Sequence, residues 1–210
     1  MPRPTLLIAT TNAGKFREFC ALLADVPVAL QSLADRPGAP AVDEDGASYE
    51  ENARLKARTI AAWAGCATLA DDSGLEVDAL GGAPGLHSAR YAAGGDAAAN
   101  IAKLVDALSA VPAARRAARF RCVLAVACPD GATLCAEGTC EGVIVETPRG
   151  SGGFGYDPVF FVPGLGRTFA ELAAADKNRI SHRARACERL RAGLLPFLAA
   201  HGSSDPRSGP

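Results

Sequence analysis

The amino-acid sequence predicts an α/β fold built on a mixed β-sheet, and three observations support this. A short apolar strand at residues 5–10 leads into an amphipathic helix, and strand–helix alternation continues to about residue 109. Residues 118–146 then form two β-rich runs joined at a turn, which is typical of an antiparallel hairpin. Parallel crossovers combined with a hairpin indicate a mixed sheet.

The first half of the chain contains two predicted helices and two predicted strands. The first helix runs from Asn12 to about Ala24, because apolar residues recur along one helical face. The second helix follows the Pro- and Gly-rich loop 33–46, and Ser48 with Glu51 predicts a capping box at its start. A strand at 67–74 ends in two acids.

The second half begins with turn-rich residues 75–95 and a helical pattern at 96–109. The hairpin turns at residues 129–131, and a glycine-dense loop follows at 147–161. The last helix is predicted from about Ser181 to Ala200. We expect one domain over residues 1–201 and a flexible tail at 202–210.

Composition excludes several classes of function. The 210 residues are 49% apolar and carry a net charge of −1, so no global basic field is available for nucleic acid. No run of about 18 apolar residues exists, so we expect no membrane span. The seven cysteines include no CxxC pair, which indicates free thiols in a reducing compartment and a cytoplasmic protein.

The stretch "IATTNAGKF" resembles a phosphate-binding P-loop but fails its pattern. Gly14 and Lys15 match, whereas Ala9 replaces the first glycine and Phe16 replaces the hydroxyl residue that binds metal. A strand–turn–helix still presents free backbone N–H groups to an anion. The alternative is a plain helix cap at Asn12 with a surface lysine.

Two acid clusters could supply the oxygen ligands that a Mg²⁺–polyphosphate complex needs. Asp71 and Asp72 follow a buried strand, where ligands gather in open α/β sheets. Residues 43–45 form the second cluster. The alternatives are an ordinary Asp-Ser-Gly turn and a solvated loop.

Aromatic and basic residues near the C-terminus suggest a site for a flat ring. Phe154 and Tyr156 could stack on such a ring, or the loop could instead plug the core. The start of the last helix is predicted to carry four basic residues, namely Lys177, Arg179, His182 and Arg183. Cations at this end oppose the helix dipole unless an anionic or electron-rich ligand is present. Lys56 by itself is typical of a solvated lysine.

These pieces together resemble the inosine triphosphate pyrophosphatase family. The matching motifs are "TTNAGKFREF", "ENARLKA", "ADDSGLEVDALGGAPGLHSARYA", "GGFGYDPVFF" and "ISHRARA", which follow the family's order from about residue 6 to 199. The resemblance implies an elongated mixed sheet flanked by helices, two lobes with an active-site cleft between them, and a homodimer. It also implies Mg²⁺-dependent hydrolysis of ITP, dITP and XTP to the nucleoside monophosphate and pyrophosphate.

The resemblance further implies residue roles. Asp72 would be the catalytic proton acceptor and a metal ligand, and Asp71 would support it. The other metal-side carboxylate would be Glu44, with help from Asp43, although the run "DED" also permits Asp45. Ser73 would touch the substrate. The triphosphate would be bound by Thr10, Thr11, Asn12, Ala13, Gly14, Lys15 and Lys56, and the base and sugar by Phe154, Gly155, Tyr156, Asp157, Lys177, His182 and Arg183.

Two other functions remain open at this point. A general nucleotide phosphatase would use the same phosphate contacts but release orthophosphate. A non-catalytic nucleotide sensor would bind without turnover, although acids beside phosphates would serve it poorly.

Overall fold

A computed structural model describes residues 3–202. The strands are β1 (Thr5–Ile8), β2 (Ala29–Ser32), β3 (Thr68–Val77), β4 (Ala117–Ala127), β5 (Thr133–Ile144), β6 (Phe160–Val162) and β7 (Arg167–Thr168). The α-helices of this range are α1 (Ala13–Leu22), α2 (Tyr49–Ala64), α3 (Ala97–Ala107), α4 (Ala174–Ile180) and α5 (His182–His201). Short 3₁₀ turns connect several of them. Apart from Gly202, the predicted tail lies outside the described residues.

The strands form one seven-stranded sheet in the order β2-β1-β3-β4-β5-β6-β7. Strand β1 runs parallel to β2 and to β3, with Leu7 opposite Thr68 in the second pair. Strand β6 is antiparallel to both β5 and β7. The predicted α/β fold with a mixed sheet is therefore confirmed.

The chain divides into two compact units. Within the described residues, unit 1 comprises 3–72, 123–137 and 186–202, and unit 2 comprises 73–122 and 138–185. The largest buried side chains of unit 1 include Leu6, Ile8 and Phe19. All seven cysteines are free thiols, as predicted, and five of them are buried. Within residues 3–202, the helices all lack either the length or the apolar character that crossing a bilayer requires.

Local hydrogen bonds begin and end the helices of unit 1. The Asn12 side chain caps α1 by accepting from the Lys15 amide at 3.0 Å. Ser48 caps α2 by accepting from the Glu51 amide at 3.2 Å. The Glu51 carboxylate accepts from the Ala47 amide instead of closing the predicted box on Ser48. Gly65, with a φ of +68°, ends α2 in the left-handed conformation.

Strand β3 corrects one expectation. The sequence placed Asp71 and Asp72 at the end of a strand, but β3 continues to Val77 and the acids lie in its interior. The alternative of a plain Asp-Ser-Gly turn is therefore wrong. The strand continues because Leu75 and Val77 are completely buried in the core of unit 2.

The C-terminal helical region corrects a second expectation. Ser181 is extended, with ψ near 158°, so it separates α4 from α5. Its hydroxyl accepts from the Ala184 amide at 3.1 Å at the start of α5. Lys177 and Arg179 consequently lie in the last turn of α4, where the helix dipole favours cations, and not at the start of the last helix.

Three phenylalanines form the centre of the unit 2 core. The ring centroids of Phe120 and Phe160 lie 4.6 Å apart, and those of Phe160 and Phe169 lie 4.8 Å apart. Gly142 on β5 makes room for this cluster, because a Cβ atom there would lie 2.5 Å from Cζ of Phe160 and 2.7 Å from the carbonyl oxygen of Phe161. The packing therefore requires the absence of a side chain at position 142.

We expect the substitution Gly142→Ala to lower the free energy of unfolding by about 1–3 kcal/mol, since the added methyl overpacks the core. Urea unfolding followed by circular dichroism measures the loss. Gly164→Ala is the matched control, because a Cβ atom there meets nothing within 4 Å. The control should stay within about 0.5 kcal/mol of the parent. Equal stability of both variants would contradict the packing argument.

Candidate functional site

In unit 1, the turn between β1 and α1 holds a lysine against a buried acid. Thr10 is buried, whereas Thr11, Asn12 and Ala13 are exposed at the start of α1. The first-turn amides of a helix have no acceptor within the helix, so this end can bind an anion. In the same turn, Nζ of Lys15 lies 3.0 Å from Oδ2 of Asp71, a carboxylate with 1% of its side chain exposed.

Asp72 lies next to this pair and is held by helix α2. Nδ2 of Asn52 donates to Oδ2 of Asp72 at 2.9 Å, and both side chains are buried. Burial raises the pKa of Asp72 above its ordinary value, and the negative charges of Glu44 and Asp71 raise it further. The hydrogen bond from Asn52 and the charge of Lys15 oppose that pKa rise.

The acid loop approaches the same helix through Glu44. The Glu44 carboxylate accepts from the ammonium group of Lys56, and both side chains are partly buried. Asp43 and Asp45 are exposed. These contacts favour Glu44, and not Asp43 or Asp45, as the acid that acts on Asp72. A role for Asp43 in metal binding stays a prediction.

These carboxylates suit a cation that is completed by other ligands. Within residues 3–202, no group of three or more His, Cys, Asp or Glu side chains is arranged to hold a metal ion alone. Mg²⁺ commonly uses one or two carboxylates together with phosphates and waters, so such a cage is not required. Burial is the main cause of the raised pKa of Asp72, and repulsion from Glu44 and Asp71 adds to it; a divalent cation would relieve that repulsion. The residues present thus fit Mg²⁺.

In unit 2, a buried ion pair organises the glycine-dense loop. Oδ2 of Asp157 accepts from Nζ of Lys177 at 2.6 Å and from the Phe154 amide at 2.8 Å. Gly153 permits this geometry: its φ is +72°, and a Cβ atom would lie 1.9 Å from Oδ2 of Asp157. The loop conformation therefore depends on Gly153 and on Asp157.

Two cations lie over the partly exposed ring of Phe154. Nζ of Lys177 is 4.8 Å from the ring centroid, and Cζ of Arg183 is 5.5 Å from it. The guanidinium of Arg183 also donates to the hydroxyl of Ser73 at 3.0 Å. One connected group in unit 2 thus contains Ser73 and four of the predicted contacts of the base and sugar, namely Phe154, Asp157, Lys177 and Arg183.

His182 and Tyr156 are bound more firmly into the core. The imidazole of His182 stacks on Phe120, with centroids 4.7 Å apart and planes 15° from parallel. Tyr156 is buried, and its hydroxyl donates to the Ser88 carbonyl at 2.8 Å. The loop therefore does plug the core through Tyr156, whereas Phe154 and Gly155 remain partly exposed.

The predicted residues fall into two groups. Unit 1 contains the segment from Thr10 to Lys15 together with Lys56 and the acids, and unit 2 contains Ser73 and the predicted base and sugar contacts. Sequence reasoning missed Asn52, which holds Asp72, and Phe120, which supports His182. The sequence did contain a signal for Asn52. It lies four residues before the predicted phosphate contact Lys56, so the two side chains share one helical face.

Comparison with known proteins gives concordant findings. The model of the Ham1 family matches residues 6–193. A dITP/XTP pyrophosphatase of Geobacillus kaustophilus is 56% identical over 187 residues, which cover 88% of this chain and 91% of that protein. A dITP/XTP pyrophosphatase of Geobacter sulfurreducens is 51% identical over 183 residues, covering 86% and 92% of the two chains.

Solved structures agree with the sequence relatives. A HAM1 protein from Coxiella burnetii superposes with a TM-score of 0.83 at 40% identity, covering 92% of this chain and 99% of that one. The nucleoside-triphosphatase / dITP/XTP pyrophosphatase from Mycobacterium abscessus gives a TM-score of 0.72 at 44% identity, covering 89% and 98%. The similarity therefore extends over nearly the whole described chain.

We expect Lys177→Met to lower the free energy of unfolding by about 3–5 kcal/mol, because it removes one partner of the buried ion pair with Asp157. Urea unfolding measures the loss. The double variant Lys177→Met/Asp157→Asn should recover part of it by removing the charge of the buried carboxylate.

Lys103→Met is the matched control for this prediction. Lys103 also lies over an aromatic ring, 4.4 Å from the centroid of Tyr91, but it is exposed. Its loss should be at most about 1 kcal/mol. Similar losses in both variants would show that the buried Lys177–Asp157 pair contributes no more to stability than an exposed lysine over an aromatic ring.

Proposed function

The chain belongs to the Ham1 family, and on that premise we propose that it hydrolyses non-canonical purine nucleoside triphosphates. Its substrates are dITP, XTP and ITP, and its products are the nucleoside monophosphate and pyrophosphate, so the enzyme removes such nucleotides from the pool. Two relatives that are 56% and 51% identical are dITP/XTP pyrophosphatases, and they support the substrate class.

The observation that carries the proposal at residue level is the charge arrangement around Asp72. Two lysines from α1 and α2 are each held by a carboxylate, Lys15 by Asp71 and Lys56 by Glu44. Lysines held in this way are ready to contact a polyphosphate. The Ala13 and Gly14 amides in the first turn of α1 add hydrogen-bond donors, whereas the Lys15 amide is already bound by Asn12. We therefore assign the triphosphate to the segment from Thr10 to Lys15 and to Lys56.

The reaction begins with Asp72 as proton acceptor. A water oxygen attacks the α-phosphorus, its proton passes to the Asp72 carboxylate, and the bond from the α-phosphorus to the bridging oxygen breaks. Pyrophosphate leaves with the electron pair of that bond. Burial raises the pKa of Asp72 in the free protein, and Mg²⁺ bound beside it would lower that pKa again. The chief task of Asp72 is therefore to orient the attacking water, and its role as the base is secondary. Lys15 and Lys56 offset the charge that develops on the leaving group.

Mg²⁺ is the proposed cofactor, with Asp72 and Glu44 as its protein ligands and Asp43 as a further candidate. When bound, Mg²⁺ supplies positive charge that offsets the charge of the triphosphate. Asp71 has a different task in this proposal. Its contact with Lys15 keeps the ammonium group oriented when no substrate is bound.

Recognition of the base is assigned to unit 2. Phe154 offers a partly exposed aromatic side chain, and Gly155 offers its backbone. Arg183 and His182 can donate hydrogen bonds to the 6-keto oxygen of hypoxanthine or xanthine. The 6-amino group of adenine cannot accept those bonds, so a buried donor would be left unsatisfied by ATP.

We further propose a homodimer in the cytoplasm with no nucleic-acid partner and no membrane attachment, and a single domain over residues 1–201. The net charge of −1 supports the absence of a nucleic-acid partner, and the free thiols support a reducing compartment such as the cytoplasm. Sedimentation velocity of the purified chain tests the dimer: a single species of monomer mass would overturn it.

The substrate class predicts a selective product profile. In a Mg²⁺ assay with ITP, dITP, XTP, ATP and GTP, the first three should turn over, and ATP should be at least about 100-fold slower in kcat/KM. Every hydrolysed nucleotide should release pyrophosphate. Orthophosphate would instead identify a general phosphatase, and tight binding without products would identify a sensor.

We expect Asp72→Asn to reduce kcat for dITP by about 100-fold or more while nucleotide binding remains, because the amide cannot accept the proton. Steady-state kinetics and isothermal titration measure the two quantities. Asp106→Asn, an exposed acid on α3, is the control and should match the parent. Near-normal turnover by Asp72→Asn would contradict the assignment of Asp72 as the catalytic proton acceptor.

A further inference from the structure

Asn52 is a buried side chain in which both ends of the amide make a defined hydrogen bond. Only 2% of the residue is exposed. Its Nδ2 donates to Oδ2 of Asp72 at 2.9 Å, and its Oδ1 accepts from the Gly46 amide at 2.8 Å. A carboxylate can only accept and an amide N–H can only donate, so the two partners determine which way the Asn52 amide points.

The backbone at Gly46 approaches this amide closely. A Cβ atom at position 46 would lie 2.7 Å from Oδ1 of Asn52 and 3.0 Å from Cβ of Glu51. A side chain at position 46 would therefore displace the Asn52 amide or the end of the acid loop. The adjacent Ala47 amide is bound by the Glu51 carboxylate at 2.8 Å, which ties the loop to the same helical turn.

One face of α2 thus contacts both acid-bearing segments. Asn52 holds Asp72, and Lys56, one helical turn later, holds Glu44. Because a helix keeps these two positions at a constant separation, α2 determines where the two carboxylates lie relative to each other. A proton acceptor and a metal ligand both need such preorganisation.

We propose that Asn52 is a positioning residue for the hydrolysis. It occupies Oδ2 of Asp72, so that Oδ1 is the oxygen presented to the attacking water, and it couples the loop carrying Glu44 to that carboxylate. This inference rests on the proposed function, since Asn52 acts through Asp72. Loss of an outer-shell partner of this kind typically reduces activity 10–100-fold.

A purely structural role is the competing explanation, and the chain offers a matched control for it. Asn100 on α3 is also buried, with 5% exposed. Its Oδ1 accepts from the Ala92 amide at 2.6 Å and its Nδ2 donates to the Ala89 carbonyl at 3.3 Å. Both asparagines tie a helix to a loop, but only Asn52 also donates to a carboxylate assigned to the reaction.

Steady-state kinetics on dITP with Mg²⁺ compare three variants with the parent. Asn52→Leu removes both hydrogen bonds, and Asn52→Asp keeps the acceptor for Gly46 but loses the donor to Asp72. We expect both to lower kcat about 10–100-fold with little change in KM. Asn100→Leu should lower stability in urea and leave kcat within about two-fold of the parent, assayed well below its unfolding midpoint.

Amide hydrogen exchange at Gly46, followed by NMR without nucleotide or metal, supplies a readout besides activity. The Gly46 amide should exchange faster in Asn52→Leu, which has no acceptor, and stay protected in Asn52→Asp. If Asn52→Leu does not fold, Asn52→Asp carries the test, because it separates the Asp72 contact from the loop contact.

A double-mutant cycle completes the experiment. In an Asp72→Asn background, Asn52→Asp should cause no further loss of kcat, since Asn52 acts through that carboxylate. Additive losses, or a kcat for Asn52→Asp within two-fold of the parent, would overturn the positioning role while wild-type hydrolysis of dITP stands. A wild-type protein without pyrophosphate release would overturn the proposed function as well.

Discussion

Two consecutive carboxylates inside β3 impose the constraint on which the candidate site depends. Asp71 and Asp72 are 2% and 8% exposed, and an uncompensated buried carboxylate costs several kcal/mol. Each therefore requires its own partner, and different helices supply them: Lys15 from α1 for Asp71, and Asn52 from α2 for Asp72. The partners that compensate the buried charges of the two acids also fix their orientation. The chemistry proposed for unit 1 depends on that orientation. Such compensation holds the acids in place in the free protein, which suits the cation and the polyphosphate that we propose for this site.

Unit 2 meets the opposite requirement, which is to bury cations. Lys177 is compensated by Asp157 and by the face of Phe154, and Arg183 by the Ser73 hydroxyl and the same ring. These contacts depend in turn on glycines. Gly153 leaves space for Asp157, and Gly142 leaves space for the phenylalanine cluster on which His182 stacks. Phe154 consequently combines a hydrophobic face with concentrated positive charge, which suits an electron-rich heterocycle.

Much of the fold could be predicted from the sequence, and the misses have physical causes. The caps at Asn12 and Ser48 and the hairpin turn at 129–131 were predictable, since their signals are local. Strand β3 was predicted too short because burial of Leu75 and Val77 outweighs the turn propensity of Asp-Ser-Gly. Strands β2, β6 and β7 were not predicted. They have four residues or fewer, and unlike the equally short β1 none of them leads directly into an α-helix. In the candidate site, the motifs identified Lys15 and Asp72. Asn52 lies inside the motif "ENARLKA", but its role depends on a contact with Asp72, 20 residues away, which the motif does not show.

By itself the sequence determined the α/β class, the family resemblance and the helix caps, because these depend on residue type, order and bonds between near neighbours. Only the tertiary structure decided which charge each acid meets. It pairs Lys15 with Asp71 and Lys56 with Glu44, and it places Asn52 against Asp72. It also places Lys177 in the last turn of α4 and not at the start of the last helix. The physical reason is that burial makes an unpaired charge costly, so the partner is selected by packing between distant segments and not by spacing along the chain.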